Sequence, residues 1–143
     1  GCAQFGQSGD EEKAPEVAEA TTICILPNAQ LKGEQRGQMV NAVAAGIKAT
    51  GLNAEALDAE GTVQSCPICL GYTIVVKDKK LEGIQFQIYE NGKPFIAAKG
   101  PAKNGQLQLQ TAAEYTKTLM THYIKVKTNP QAAAAVPAQA AQP

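Results

Sequence analysis

The stretch ICLGYTIVV at residues 68–76 carries the clearest secondary-structure signal in this chain of 143 residues. Apolar side chains occupy every second position, a period of two that fits a β-strand and that a helix cannot use. The side chains concerned are those of Ile68, Leu70, Tyr72, Ile74 and Val76. The stretch therefore predicts a long strand, from which the other elements can be worked out in both directions.

Two more strands are predicted after it. Residues 77–80 are all charged and predict a polar turn, and residues 84–89 then alternate apolar with polar side chains. Asn91-Gly92 is a strong signal for a two-residue hairpin turn, after which residues 95–99 return as a strand. Residues 100–105 predict a polar loop. These strands predict an antiparallel meander, with the glutamine-bearing face of its middle strand turned to water or to a partner.

The first half of the chain predicts a strand, a helix and a short second strand. Residues 21–26 are apolar on both faces, which favours a strand inside the sheet rather than at its edge. Residues 33–50 have the four-residue apolar spacing of a helix, which Gly37 and Gly46 weaken by about 1 kcal/mol each relative to alanine. Residues 52–57 predict a short edge strand.

A last helix is predicted after Thr111, which we expect to cap it, and Asn129-Pro130 should end it. Its apolar face consists of Ala112, Tyr115, Leu119, Tyr123 and Val126. The predicted order is β-α-(β)-β-β-β-α, an α+β fold with a mostly antiparallel sheet of four to five strands and two helices packed on one face.

The composition predicts one domain with polar extensions. Residues 1–20 and 129–143 have little apolar periodicity, so we expect a disordered tether, a single domain at 21–128 and a disordered Ala/Pro/Gln tail. The formal net charge is zero and the basic residues are scattered, which argues against a nucleic-acid partner. We expect no cofactor and no catalysis, because no nucleophile elbow, phosphate-binding glycine motif or paired carboxylates are found.

A bacterial lipoprotein signal ends in a small residue, followed by the cysteine that becomes lipidated. Gly1-Cys2-Ala3, at the start of the chain, is typical of this arrangement. The polar stretch that follows suits a linker between a membrane and a domain. We therefore expect Cys2 to carry acyl chains that anchor the protein to a bilayer without a spanning helix. Ala3, rather than Asp, beside the cysteine favours the outer membrane, with the domain facing the periplasm or the cell surface.

Three other cysteines remain, Cys24, Cys66 and Cys69, and in an exported chain they are most simply structural. We expect Cys24 to pair with Cys66 or Cys69, which would tie the first strand to the start of the long one. A bridge of this kind closes a loop of roughly 40 residues and stabilises the fold by about 3–4 kcal/mol.

Two other uses of these cysteines stay open. Cys66-Pro67-Ile68-Cys69 also fits a thiol–disulfide redox motif, although a strand rather than a helix follows it, so no helix dipole would stabilise a thiolate. Cys24, Cys66 and Cys69 with His122 could instead hold a metal ion such as zinc.

Short motifs resemble those of a family of small uncharacterised bacterial envelope lipoproteins. These motifs are Ile23-Cys24-Ile25, the run Cys69-Leu70-Gly71-Tyr72-Thr73-Ile74, and Tyr89-Glu90-Asn91-Gly92-Lys93. The resemblance covers residues 21–126 and implies an envelope lipoprotein with a Cys24–Cys69 bridge, whereas Cys66 departs from the pattern. The order of elements is also similar to that of outer-membrane assembly lipoproteins.

The sequence predicts a lipid-anchored envelope protein that binds or assembles with another envelope protein. Two alternatives are a thiol-redox or metal-binding protein that uses Cys66 and Cys69, and a surface adhesin or antigen.

Overall fold

The computed structural model describes residues 14–128, which contain five strands and two helices. In chain order they are β1 (Thr22–Ile25), α1 (Gly33–Lys48), β2 (Asn53–Ala56), β3 (Ile68–Lys77), β4 (Lys80–Glu90), β5 (Lys93–Pro101) and α2 (Leu109–Thr128). The predicted α+β class and order of elements are confirmed. Within the described range no helix is both long and apolar enough to cross a membrane.

The strands form a single mixed sheet in the order β2-β1-β3-β4-β5. The long pairings, β3 with β4 and β4 with β5, are antiparallel and confirm the predicted meander. β1 lies inside the sheet and β2 at its edge, as their patterns predicted. Both pairings of β1, with β2 and with β3, are parallel. Parallel neighbours require connections that run back over a face of the sheet.

The core lies between the sheet and the two helices. Every second residue of β3 and β4 points into it, and the two strands place their apolar positions opposite each other, Leu70 with Ile88 and Tyr72 with Phe86. The helices contribute residues that are fully buried, among them Val43, Ile47, Met120 and Tyr123. One apolar face of the sheet thus accounts for the packing of both helices.

The start and the buried face of α2 differ from the prediction. The helix begins at Leu109, so Thr111 lies inside its first turn rather than capping it. Tyr115 and Val126 are only half-buried, while Thr116 and Met120 are buried in their place. The reason is that α2 packs against α1 as well as against the sheet, which rotates its buried face.

Gly46 lies where α1 packs closely against α2. A Cβ atom built at this glycine would lie 2.5 Å from the Ala113 carbonyl oxygen and 2.7 Å from the Thr116 Cβ. Backbone atoms of α2 cannot move aside as the end of a flexible side chain can. The glycine that weakens α1 as an isolated helix therefore permits the contact between the helices. Gly37, in the same helix, has open space at the Cβ position.

We expect Gly46→Ala to destabilise the domain by about 1–3 kcal/mol, because the added methyl group pushes the helices apart. Gly37→Ala is the matched control and should stabilise it by up to about 1 kcal/mol, through helix propensity alone. Urea unfolding followed by circular dichroism measures both. Equal effects of the two substitutions would show that the helices do not pack closely at Gly46.

Two side-chain amides extend the sheet after β1 ends. The Asn28 side-chain amide donates to the Tyr72 carbonyl oxygen at 2.8 Å. Two residues later the Gln30 side chain donates to the Ile74 carbonyl oxygen at 2.9 Å and accepts from the Ile74 N–H at 2.7 Å. These bonds satisfy backbone groups of β3 that a four-residue strand cannot reach. Asn28 also accepts from the Gln30 N–H and so fixes the turn into α1.

A buried ionic cluster fixes the end of α2 to the β4–β5 hairpin. The Glu90 carboxylate, 8% exposed, accepts a hydrogen bond from the Tyr123 hydroxyl at 2.5 Å and lies 2.9 Å from the Lys127 ammonium group. Burial, together with the hydrogen bond and charge of Glu90, raises the pKa of Tyr123 far above its usual value. Phe95 packs edge-on against Tyr123 and lies beneath the Lys127 ammonium group. All three polar groups are thus paired with one another, as buried polar groups require.

Candidate functional site

The three cysteines of the domain lie together on the face of the sheet opposite the helices. Cys24 on β1 and Cys69 on β3 are direct neighbours in the parallel pairing. Cys66 lies on the crossover loop, residues 57–67, which leads from β2 over this face to β3. The disulfide joins Cys24 to Cys66, with 6.3 Å between their Cα atoms, and Cys69 is a buried free thiol.

The observed bridge is one of the two pairings that the residues left open. The Cys24–Cys69 bridge implied by the resemblance is not formed. Side-by-side residues on neighbouring strands have Cβ atoms about 4.8 Å apart and point the same way, whereas a disulfide needs about 3.8 Å. Cys66 reaches Cys24 from the loop above and escapes this restriction. Cys66, at which the sequence departs from the lipoproteins it resembles, is therefore the residue that bonds to Cys24.

The crossover loop covers Cys69. The thiol points towards three carbonyl oxygens of this loop, at 3.6 Å from Cys66 and at 3.8 Å from both Thr62 and Val63. Burial raises the pKa of Cys69 above its ordinary value of 9.0, and the weaker effect of the Cys66 hydrogen bond opposes it. The raised pKa keeps Cys69 protonated near neutral pH, which makes it a poor nucleophile.

The residues that a redox pair or a metal site would require are not brought together among residues 14–128. A redox pair of Cys66 and Cys69 would need these two sulfurs to bond with each other, yet Cys66 is bonded to Cys24 and is followed by a strand. His122 lies half-buried on α2, on the opposite side of the sheet from the cysteines. Among residues 14–128 no group of three or more potential ligands could hold a metal ion. The proposed lipidation site, Cys2, and the predicted tail, residues 129–143, lie outside the described residues.

The disulfide should depend on Cys66 and be independent of Cys69. We expect Cys66→Ala to lose the bridge, leave Cys24 and Cys69 as free thiols and destabilise the domain by about 4 kcal/mol. Cys69→Ala is the control, and it should keep the bridge at a cost of about 1 kcal/mol. Thiol titration of the unfolded variants, combined with urea unfolding, measures both effects. A Cys24–Cys69 bridge in the Cys66→Ala variant would contradict the geometric argument.

Nothing among residues 14–128 packs on the part of this sheet face that lies beyond the crossover loop, and we call this part the open face. It consists of outward-pointing residues of β3 and β4, bordered by the segment after β1, namely Gly71, Thr73, Gln85, Gln87, Tyr89, Leu26 and Pro27. Thr73 and Gln85 are cross-strand partners and both are exposed. These side chains line a shallow groove of about 360 Å³. These residues of the open face carry no formal charge, while Lys99 of β5, the cross-strand partner of Gln85, adds a positive charge at its border. The glutamines of β4 point away from the core, as predicted.

A hairpin extends the sheet past both neighbouring strands. The pairing of β1 with β3 ends at Leu70, and that of β5 with β4 ends at Gly83. Residues 76–81, which we call the hairpin arm, are therefore paired only with each other. Its turn is formed by Asp78 and Lys79, both with positive φ, at 53° and 66°. The sequence had predicted a polar turn here, but not its extension beyond the sheet.

The hairpin arm and the two ends of the described chain lie at opposite ends of the sheet. β1 begins beside the start of β3, and the Lys127–Glu90 contact brings the end of α2 to the same end of the sheet. Along β3, the distance from Ile68 to Lys77 is about 30 Å. A domain held by either chain end thus presents the hairpin arm on its far side.

Comparisons with known proteins find solved structures with a similar backbone path at low sequence identity. No protein-family profile matches the chain, and no curated protein sequence matches it. Two crystal forms of the PelC dodecamer from Paraburkholderia phytofirmans are similar in structure. A point variant of PelC shares 15% identity at a TM-score of 0.45, covering 76% of this chain and 92% of PelC. The second form shares 12% identity at the same TM-score, covering 76% and 90%.

Proposed function

We propose that this chain is a lipid-anchored protein of the bacterial outer membrane whose domain binds another envelope protein and does not catalyse a reaction. The observation that carries the proposal is the open face, where β3 and β4 present uncharged polar and apolar groups with nothing packed on them among residues 14–128. The centres of protein interfaces are depleted of charged residues and enriched in tyrosine, and the groove lined by Thr73, Gln85 and Tyr89 has this composition.

The disulfide supports a location in the cell envelope rather than in the cytosol. Structural bridges persist in the periplasm and at the cell surface, and they are rare in a reducing cytosol. In the Cys24–Cys66 bridge, Cys24 is 2% exposed and Cys66 is half-buried. The role of the bridge is therefore structural, and it supports a protein that folds after export.

The position of the N-terminal residues at the end of the sheet opposite the hairpin arm supports the anchor. Residues 14–21 lead into β1 at the end of the sheet opposite the hairpin arm, and the Ala20 N–H donates to the Gly51 carbonyl oxygen at 2.9 Å. A tether that starts at Cys2 would therefore reach the domain at this end. The open face and the hairpin arm would both remain accessible to a partner.

The anchor is tested by metabolic labelling with a fatty acid in cells that express the full chain behind a lipoprotein signal peptide. The wild-type chain should incorporate label and fractionate with the outer membrane. Cys2→Ser should lose both properties, while Cys69→Ser, with a buried thiol, serves as the control and should keep them. Membrane fractionation of Cys2→Ser without label would contradict lipid anchoring at Cys2.

Binding through the open face is tested by photocrosslinking from Gln85 in intact cells. A photoreactive residue at this exposed position should give one discrete crosslinked product with an envelope protein. The same residue at Glu114, on the solvent side of α2, is the matched control and should give none. Products from both positions, or from neither, would argue against docking on the open face. A product with a molecule of another cell would favour the adhesin alternative.

A further inference from the structure

The hairpin arm carries a basic patch with an apolar residue at its base. Lys77, Lys79 and Lys80 are exposed, and Lys103 lies on the adjacent loop, whose Gly105 borders the same surface. Among residues 14–128, none of these four lysines lies within ion-pair distance of a carboxylate. Val76 is 58% exposed, the largest value for any large apolar side chain in that range. The patch therefore offers both positive charge and apolar area to a partner.

The turn of the hairpin arm is conformationally unfavourable in a way that the other hairpin avoids. At the second turn position, the β4–β5 hairpin has Gly92, with a φ of 83°, while the hairpin arm has Lys79, with a φ of 66°. Glycine adopts a positive φ readily, and Asn and Asp do so occasionally, but a lysine in this region is strained by its Cβ atom. The domain thus keeps a lysine where its other hairpin uses a glycine, and strained residues of this kind are concentrated at functional sites.

We propose that the hairpin arm binds an acidic segment of the partner protein. This inference rests on the proposed function, and it adds the location and the chemistry of a contact. Carboxylates of the partner would lie against Lys77, Lys79 and Lys80, while Val76 would make the apolar contact. Complementary charge of this kind chiefly accelerates association and selects the partner.

Two features favour an acidic protein segment over an anionic lipid surface. Lipid-binding segments carry clusters of about four to eight basic residues, whereas the hairpin arm carries three, with Asp78 between them and Glu82 directly after them. The hairpin arm also lies at the far end of the domain from the residues that lead to Cys2, so an anchored domain presents it away from its own membrane.

The test places a photoreactive residue at Val76 of the full chain in intact cells. We expect a discrete product whose crosslinked peptide, mapped by mass spectrometry, is richer in acidic than in basic residues. Leu109, exposed to 39% at the start of α2, is the matched apolar control and should give none. A product that maps to a segment without excess acidic residues would overturn the proposal.

Charge reversal shows whether the lysines provide the contact. The triple variant Lys77→Glu, Lys79→Glu and Lys80→Glu should lower the yield from position 76 by about tenfold. The control triple, Lys32→Glu, Lys117→Glu and Lys125→Glu, changes the net charge equally at exposed positions, one just before α1 and two on α2, and should alter the yield by less than about twofold. Equal losses would mean that only the overall charge matters, which would overturn the proposal.

Lys79→Gly separates loss of binding from loss of folding. The substitution relieves the positive φ, so the variant should unfold at a higher urea concentration than the wild type while its crosslinking yield falls. A yield that rises with stability would overturn a role for the Lys79 charge.

The same experiment distinguishes the inference from the proposed function. Products from Gln85 but not from Val76 would leave the binding function standing and overturn the role of the hairpin arm. No product from either position would overturn both. Lysine-dependent binding of the purified chain to phosphatidylglycerol vesicles, without a protein product at Val76, would replace the acidic segment with a membrane surface.

Discussion

The parallel pairing of β1 on both of its sides constrains the rest of this fold. The chain must cross the sheet twice, from β1 to β2 and back from β2 to β3, and in opposite lateral directions. Since such crossovers are right-handed, the two must pass over opposite faces. The first crossover contains α1 and buries an apolar stripe. The second is the crossover loop, which has no such stripe, and the Cys24–Cys66 bridge holds it to the sheet.

The two faces of the sheet therefore differ in how they are covered. Both helices pack on one face, where Gly46 allows close contact between them. The crossover loop covers the opposite side of β1 and the start of β3, where the Cys24–Cys66 bridge holds it. Among residues 14–128 nothing else covers the open face, and β3 and β4 continue past their neighbours as the hairpin arm. The surfaces proposed to bind a partner are thus a consequence of the connections.

Local patterns predicted the elements well and their contacts less well. The period of two in β3 and the Asn91-Gly92 turn depend on neighbouring residues, so the meander could be predicted from them. Gly46 was predicted only as a weak point in α1, because its contact with Ala113 joins residues far apart in the chain. Lys79 carried a signal that could have been noticed: a two-residue turn without glycine requires an unusual backbone conformation.

The sequence alone determined the order and type of the elements, the position of β1 inside the sheet and the polar outer face of β4. The tertiary structure decided which cysteine bonds to Cys24, which residues of α2 are buried and which end of the sheet carries the hairpin arm. The physical reason is that side-chain periodicity is set within a few residues. The distance between Cys24 and Cys66 depends on how β1, β2 and β3 are placed next to one another.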